Sequence, residues 1–337
     1  LLKRWQFWVG LAISGALLWD ALRGLRLGEV WAAIQGARYV WLIPGVVVYF
    51  VAVWARAWRW HYLLRPLKGI PTASMFPVVA IGYMGNNIYP ARAGELLRAY
   101  VLRRREGVSI SASLATVLVE RALDGLVMLA FVFLNLPRLA DLNSASGFAG
   151  SIRGLAIGGA FVFLGATLVF LLMAVMPGRA QAAIRWFTNR LVPRRFRAGV
   201  EAVAARFVAG LAALRSPGGL AMVLATSVVI WLLETGKYWF VMHAFPFEVD
   251  FFALMLMNGI VNLATTIPSA PGYIGTFDRP GIAVLEAFAV DKALAAGYTL
   301  VLHAALWLPI TLLGAFYMAR ESISWGRVQQ ELGEDEA

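Results

Sequence analysis

The chain contains no cysteine and only three histidines, His61, His243 and His303, among 337 residues. Disulfides, thiolate nucleophiles and cysteine metal sites are therefore excluded, and little remains to build a zinc centre. No cofactor is expected. Charge is also scarce: 15% of residues are charged against 60% hydrophobic, and the mean hydropathy is +0.70. That composition is too apolar for an ordinary soluble domain and fits an all-α polytopic membrane protein. Acidic residues are the rarer sign, which leaves a formal net charge of +11. The arginines cluster at the ends of apolar segments, where they meet anionic headgroups, so membrane lipid rather than nucleic acid is the expected partner. ATPase, kinase and hydrolase motifs are missing too, and no enzyme is expected.

A helix needs about 20 apolar residues to cross the hydrocarbon core. Six stretches qualify, near 5–22, 40–63, 111–136, 151–176, 219–242 and 293–319. The first reads as a retained span, since it lacks a small-residue cleavage site. Two further apolar stretches, 72–89 and 251–267, each run into a Pro/Gly break and a short second helix. These are re-entrant or broken hairpins. Residues 179–215 hold eight arginines against Glu201 and form an amphipathic connector, about 177–218, which is expected on the cytoplasmic side with Trp186, Phe187, Leu191 and Phe196 in the interface. Six crossings place both termini in the cytoplasm and make one membrane domain, 1–337. Arg23, Arg26 and Arg38 run against that orientation, and a short interfacial helix over 27–36 would account for them.

A shift of 178 positions superposes Arg56 on Glu234, Arg59 on Lys237, Pro90 on Pro268 and Gly94 on Gly272. After a five-residue length difference, Glu120 falls opposite His303. The repeat units, about 40–136 and 219–319, start from opposite sides of a six-span topology and would form an inverted repeat, with two breaks approaching one central site. Duplication without a transport role would leave the same trace.

Ionisable residues at membrane depth are costly and mark functional sites. At the first break Asn87, Arg92, Glu95 and Arg98 stand beside Gly85, Pro90 and Gly94. Helix ends there expose amide N–H groups suited to an anion. Deeper in the next span come Glu120, Arg121 and Asp124, where Arg121 either pairs with Asp124 or offers its planar fork to a phosphate. Glu234 and Lys237 lie one helical turn apart. The second break contributes Pro268, Pro271, Gly272, Gly275, Asp278 and Arg279, and His303 follows as a proton relay or a partner for a backbone carbonyl. Arg56 and Arg59, among Trp54, Trp58 and Trp60, read as snorkelling arginines in an aromatic belt.

At both breaks the chain resembles the transmembrane region of lysylphosphatidylglycerol synthases and its stand-alone flippase-like (YbhN/AglD-type) relatives. The matching pieces are GYMGNNIYPARAGELLRAYVL, ERALDG and IPSAPGYIGTFD, followed by His303. The resemblance implies an integral protein of the cell membrane that moves an anionic phospholipid or a polyprenyl-phosphate-linked intermediate between leaflets. Aminoacyl transfer, which belongs to a separate soluble domain in the bifunctional relatives, is not expected of these residues. A small-anion transporter or an interaction subunit of a lipid-modifying pathway, alone or as a homo-oligomer, would use the same arginines.

Overall fold

The computed structural model describes residues 5–89, 92–141, 148–266 and 270–321. Among these the chain is helical throughout, with thirteen α-helices and no strand. In order they are α1 Trp5–Leu22, α2 Leu27–Gln35, α3 Leu42–Leu64, α4 Thr72–Ile88, α5 Gly94–Glu106, α6 Ile110–Asp141, α7 Phe148–Val175, α8 Pro177–Leu191, α9 Arg194–Gly210, α10 Pro217–Met242, α11 Phe251–Ala264, α12 Asp278–Ala287 and α13 Lys292–Arg320.

Local chemistry sets several of these limits. The Ser216 side chain caps α10 by accepting from the Gly219 amide, with Pro217 in the first turn. Asp250 caps α11 and Asp291 caps α13 in the same way. Three arginines complete the last turn of α5, where they complement the helix dipole, and Gly107 ends it in the left-handed region.

Among the described residues four helices are long and apolar enough to cross a membrane: 39–64, 157–175, 217–242 and 292–320. The other two stretches expected to cross are helical as well, with weaker credentials. The apolar part of α1 is Leu11–Ala21, while α6 spends three positions on Glu120, Arg121 and Asp124. The connector is two helices, α8 and α9, tied by Arg197, whose Nη2 donates to the Asn189 carbonyl at 2.5 Å. Trp186, Phe187, Leu191 and Phe196 are all exposed along it.

At the centre α3 and α10 run antiparallel. Arg59 on α3 bonds Ser227 on α10, Arg56 bonds Glu234, and a Cβ on Gly45 would meet Val241, so positions rise along one helix as they fall along the other. Two more antiparallel pairs flank them. Helix α4 lies on α13 through Asn87 and Thr311, and α11 lies on α6 through Met255 and Asn135. Each break folds its two arms together. A Cβ on Gly85 would sit 2.7 Å from the Gly94 Cα, so only glycine lets α4 and α5 approach this closely. In the second break Gly272 takes φ 75°, a left-handed conformation that a side chain disfavours. The expected hinge prolines Pro90 and Pro268 lie outside the described residues; Pro271 opens a short 3₁₀ turn, Pro271–Tyr273, ahead of α12.

Candidate functional site

Two arginines one turn apart on α3 anchor the interior. Arg59 is fully buried and grips Asp124 with both ends of its fork, Nη1 to Oδ1 at 2.5 Å and Nη2 to Oδ2 at 3.1 Å. Its Nη1 also donates to Ser227 Oγ at 2.7 Å, and its Nε lies 3.5 Å from Glu120. Arg56 donates from Nη2 to Glu234 Oε1 at 2.8 Å and lies over the rings of Trp231 and Tyr83. The aromatic-belt reading of these two residues is thus overturned. Helical periodicity divides the segment: Trp54 and Trp58 face outwards, whereas Arg56, Arg59 and Trp60 face α6 and α10, with the Trp60 indole donating to Thr116 Oγ1. The signal for the inward face lay in the repeat, which aligns Arg56 with an acid.

The remaining charges from α5, α6 and α10 close around this anchor. Lys237 pairs with Glu234, so one carboxylate serves two cations, and the ammonium lies 4.4 Å from the Tyr49 ring centroid. Arg98 donates to Glu120 Oε2 at 2.7 Å, approaches Glu95 at 2.8 Å and lies over Trp60. Glu120 and Asp124 are both 1% exposed; they back the arginines and do not face open space. Arg121 reaches Asp124 only at 3.6 Å and Glu95 at 3.9 Å, beyond ordinary hydrogen-bond distance, because Asp124 is already taken by Arg59.

The two breaks meet here. Arg92, with φ 53°, sends Nη2 across to the Thr265 carbonyl at 3.0 Å and lies over Tyr273. Asn87 Nδ2 donates to Thr311 Oγ1 at 2.8 Å, and its carbonyl accepts from the Trp307 indole. His303 holds the second break: Nδ1 is 2.8 Å from Asp278 Oδ1 and Nε2 is 2.7 Å from the Gly272 carbonyl. Asp278 in turn accepts from the Gly275 amide at 2.8 Å. Arg279, expected at the binding site, goes elsewhere and pairs with Asp20 on α1 at 2.5 Å.

Between these groups is a cavity of about 130 Å³, room for several waters or a phosphate-sized group. It is lined by Asn87, Arg92, Glu95, Arg98, Arg121, Glu234, Lys237, Gly272 and His303, together with Arg56. Tyr49, Tyr83, Trp231, Asn262 and Thr265 also line it. Sequence reasoning missed these five, since neutral and aromatic residues on apolar helices carry no mark to separate lining from packing. The guanidinium-rich lining suits an oxyanion, and among the described residues no cluster of three metal-ligating side chains occurs.

A bundle of apolar helices folded around a charge-lined cavity, with four helices fit to cross a bilayer, defines a multi-pass membrane protein. The family model for the lysylphosphatidylglycerol synthase TM region matches residues 7–314, and the chain belongs to that family. Relatives include a UPF0104 membrane protein of Methanothermobacter thermautotrophicus, 23% identical over 81% of this chain and 83% of its own length. A second UPF0104 membrane protein from the same organism is 23% identical over 94% of this chain and 93% of its own. Glycosyltransferase AglD of Haloferax volcanii is 26% identical over 81% of this chain, and the match spans 47% of AglD.

Proposed function

We propose that this protein is a lipid translocase that carries the phosphate-bearing headgroup of an anionic lipid, or of a polyprenyl-phosphate-linked lipid, through the central cavity while the acyl tails stay in the bilayer. The observation that carries this reading is Arg121: its side chain is 30% exposed towards the cavity and makes no hydrogen bond to either neighbouring carboxylate. A guanidinium held this way has its fork free for phosphate oxygens. The meeting of the two breaks at the cavity supports alternating access by hairpins, and the antiparallel crossing of α3 and α10 supports an inverted repeat within six crossings. The arginine-rich connector supports a cytoplasmic location for both termini in a protein of the cell membrane.

The protein works as a carrier rather than an enzyme. Glu120 and Asp124 are buried against Arg98 and Arg59, which leaves neither carboxylate free to act as a base. The name of AglD keeps glycosyl-linked lipids among the candidate cargoes.

The test is transbilayer movement of labelled lipids in proteoliposomes with and without Arg121→Ala. Loss of a charge-assisted phosphate contact, about 1.5–3 kcal/mol, should slow movement roughly 10- to 100-fold at unchanged abundance. Undiminished movement would remove Arg121 from the mechanism. Uptake of a water-soluble anion with no lipid movement would make the protein an anion transporter, and inactivity alone with a stable co-purifying enzyme would make it an interaction subunit.

A further inference from the structure

The carboxylates of the central cluster are outnumbered, and the pairing shows which cations are left over. Four cations are matched: Arg59 with Asp124, Arg98 with Glu120 and Glu95, and both Arg56 and Lys237 with Glu234. Those four carboxylates are then spent. Arg92 and Arg121 remain, and both line the cavity. Arg92 has a backbone carbonyl and a threonine hydroxyl as its hydrogen-bond partners. Arg121 makes no hydrogen bond to a carboxylate, its nearest ones being Asp124 at 3.6 Å and Glu95 at 3.9 Å, both already bonded to other cations. Asp278, the other buried acid of this region, is engaged by His303 and the Gly275 amide and does not line the cavity.

Six cations set against the four carboxylates that pair with them leave two positive charges on the part-buried side chains of Arg92 and Arg121 at the cavity wall. Two like charges held at one cavity favour a ligand that matches both. A singly charged phosphodiester would leave one charge unmatched. A phosphomonoester carries nearly two negative charges at neutral pH and three equivalent acceptor oxygens, enough for two guanidinium forks.

We infer that the cavity selects a doubly negative phosphate, a terminal phosphomonoester, over a phosphodiester headgroup, with Arg92 and Arg121 as the two residues that read its charge. This rests on the lipid-translocase reading and names the headgroup class for it. Aromatic rings also lie against three of the four matched cations, Arg56, Arg98 and Lys237, and Arg59 holds Asp124 with both ends of its fork, so the charge available to a ligand is set by the remaining pair.

The experiment uses the full chain in two formats. Native mass spectrometry compares retention of phosphatidic acid and phosphatidylglycerol of identical acyl chains at pH 8 and pH 5. Proteoliposomes follow flipping of the same two lipids carrying a short acyl-chain fluorophore. Phosphatidic acid should be retained at least about tenfold better at pH 8, with the preference shrinking at pH 5, where a monoester loses its second charge. Arg92→Gln and Arg121→Gln should each reduce the preference, whereas Arg92→Lys and Arg121→Lys should keep most of it. Equal retention of the two lipids at pH 8 overturns the inference, and so does a preference that survives both glutamine variants. If both lipids flip equally fast and bind equally, the translocase reading stands and the headgroup assignment falls. If phosphatidic acid is preferred but neither lipid flips, the site stands and translocation falls. Inorganic phosphate serves as a competitor: displacement of phosphatidic acid at equal concentration would make the free anion the cargo and overturn the lipid assignment.

Discussion

Arg56 and Glu234 are hydrogen-bonded at 2.8 Å, and the 178 positions that separate them are the same offset that superposes the two Pro-x-x-x-Gly breaks. Two halves related by a two-fold axis bring equivalent residues face to face where the axis passes. On the proposed inverted repeat the bond between Arg56 and Glu234 would be such a meeting, a side-chain contact that supports the proposal independently of helix counting. It also makes the two residues unequal. Glu234 balances Arg56 and Lys237 together, whereas Arg56 has Glu234 as its hydrogen-bonded carboxylate.

That asymmetry orders two substitutions. Glu234→Gln strands two buried cations and should cost about 3–5 kcal/mol, the penalty for breaking a buried pair from one side. Arg56→Gln leaves Glu234 paired with Lys237 and should cost clearly less. Thermal unfolding of both variants in the same detergent checks the order; equal losses would show that Lys237 does not share the carboxylate.

The contact between Gly85 and Gly94 sets a second expectation. A Cβ on Gly94 would run into the Gly82 carbonyl and the Asn86 amide, backbone atoms that cannot turn aside. Gly94→Ala should therefore lower stability by about 1–3 kcal/mol or more, as overpacking does. Gly158→Ala, with open space around the new methyl group, should leave it unchanged. Folded yield by size-exclusion chromatography separates the two, and a monodisperse Gly94→Ala at wild-type yield would rule out the tight approach of α4 and α5.

Much of this architecture was legible before the structure. Apolar length marked α3, α7, α10 and α13, and the breaks announced themselves through Gly94, Gly272 and the ionisable residues beside them. What stayed hidden was direction around a helix. Arg56 and Arg59 share their segment with Trp54 and Trp58, and a one-dimensional reading sends all four to the bilayer surface. A turn of 100° per residue sends two inward and two outward. Partner choice was hidden as well. Asp124 lies one turn from Arg121, yet Arg59, 65 positions away in sequence, takes both of its oxygens.

Arg279 supplies a control. Its pairing with Asp20 is partly exposed on both sides, 35% and 57%, and exposed pairs contribute about 0–1 kcal/mol. Arg279→Ala should keep lipid movement in proteoliposomes within about twofold of wild type, a change worth less than 0.5 kcal/mol, in contrast to Arg121→Ala. A severe loss for Arg279→Ala at normal abundance would draw α1 and α12 into the transport site.

The absence of cysteine makes the topology directly readable, because each introduced thiol is the sole target for a labelling reagent. Helix α10 has 26 residues and at 1.5 Å per residue spans roughly 39 Å, enough for a hydrocarbon core of about 30 Å. The segment before it and the loop after it should therefore face opposite sides. Helix α3 runs antiparallel to α10, and its start is tied to the far end of α10 where the Arg38 amide donates to the Ala244 carbonyl at 2.8 Å. The end of α3 must then emerge with the connector. Single cysteines replacing the exposed Arg65 and Arg194 should react from one side of sealed vesicles, and a cysteine replacing the exposed Glu248 from the other. On the proposed orientation the first side is the cytoplasmic one, as the arginine density there favours. Labelling of Arg65→Cys and Glu248→Cys from the same side would rule out the antiparallel crossing of α3 and α10 through the bilayer, and with it the opposed approach of the two hairpins on which the proposed alternating access depends.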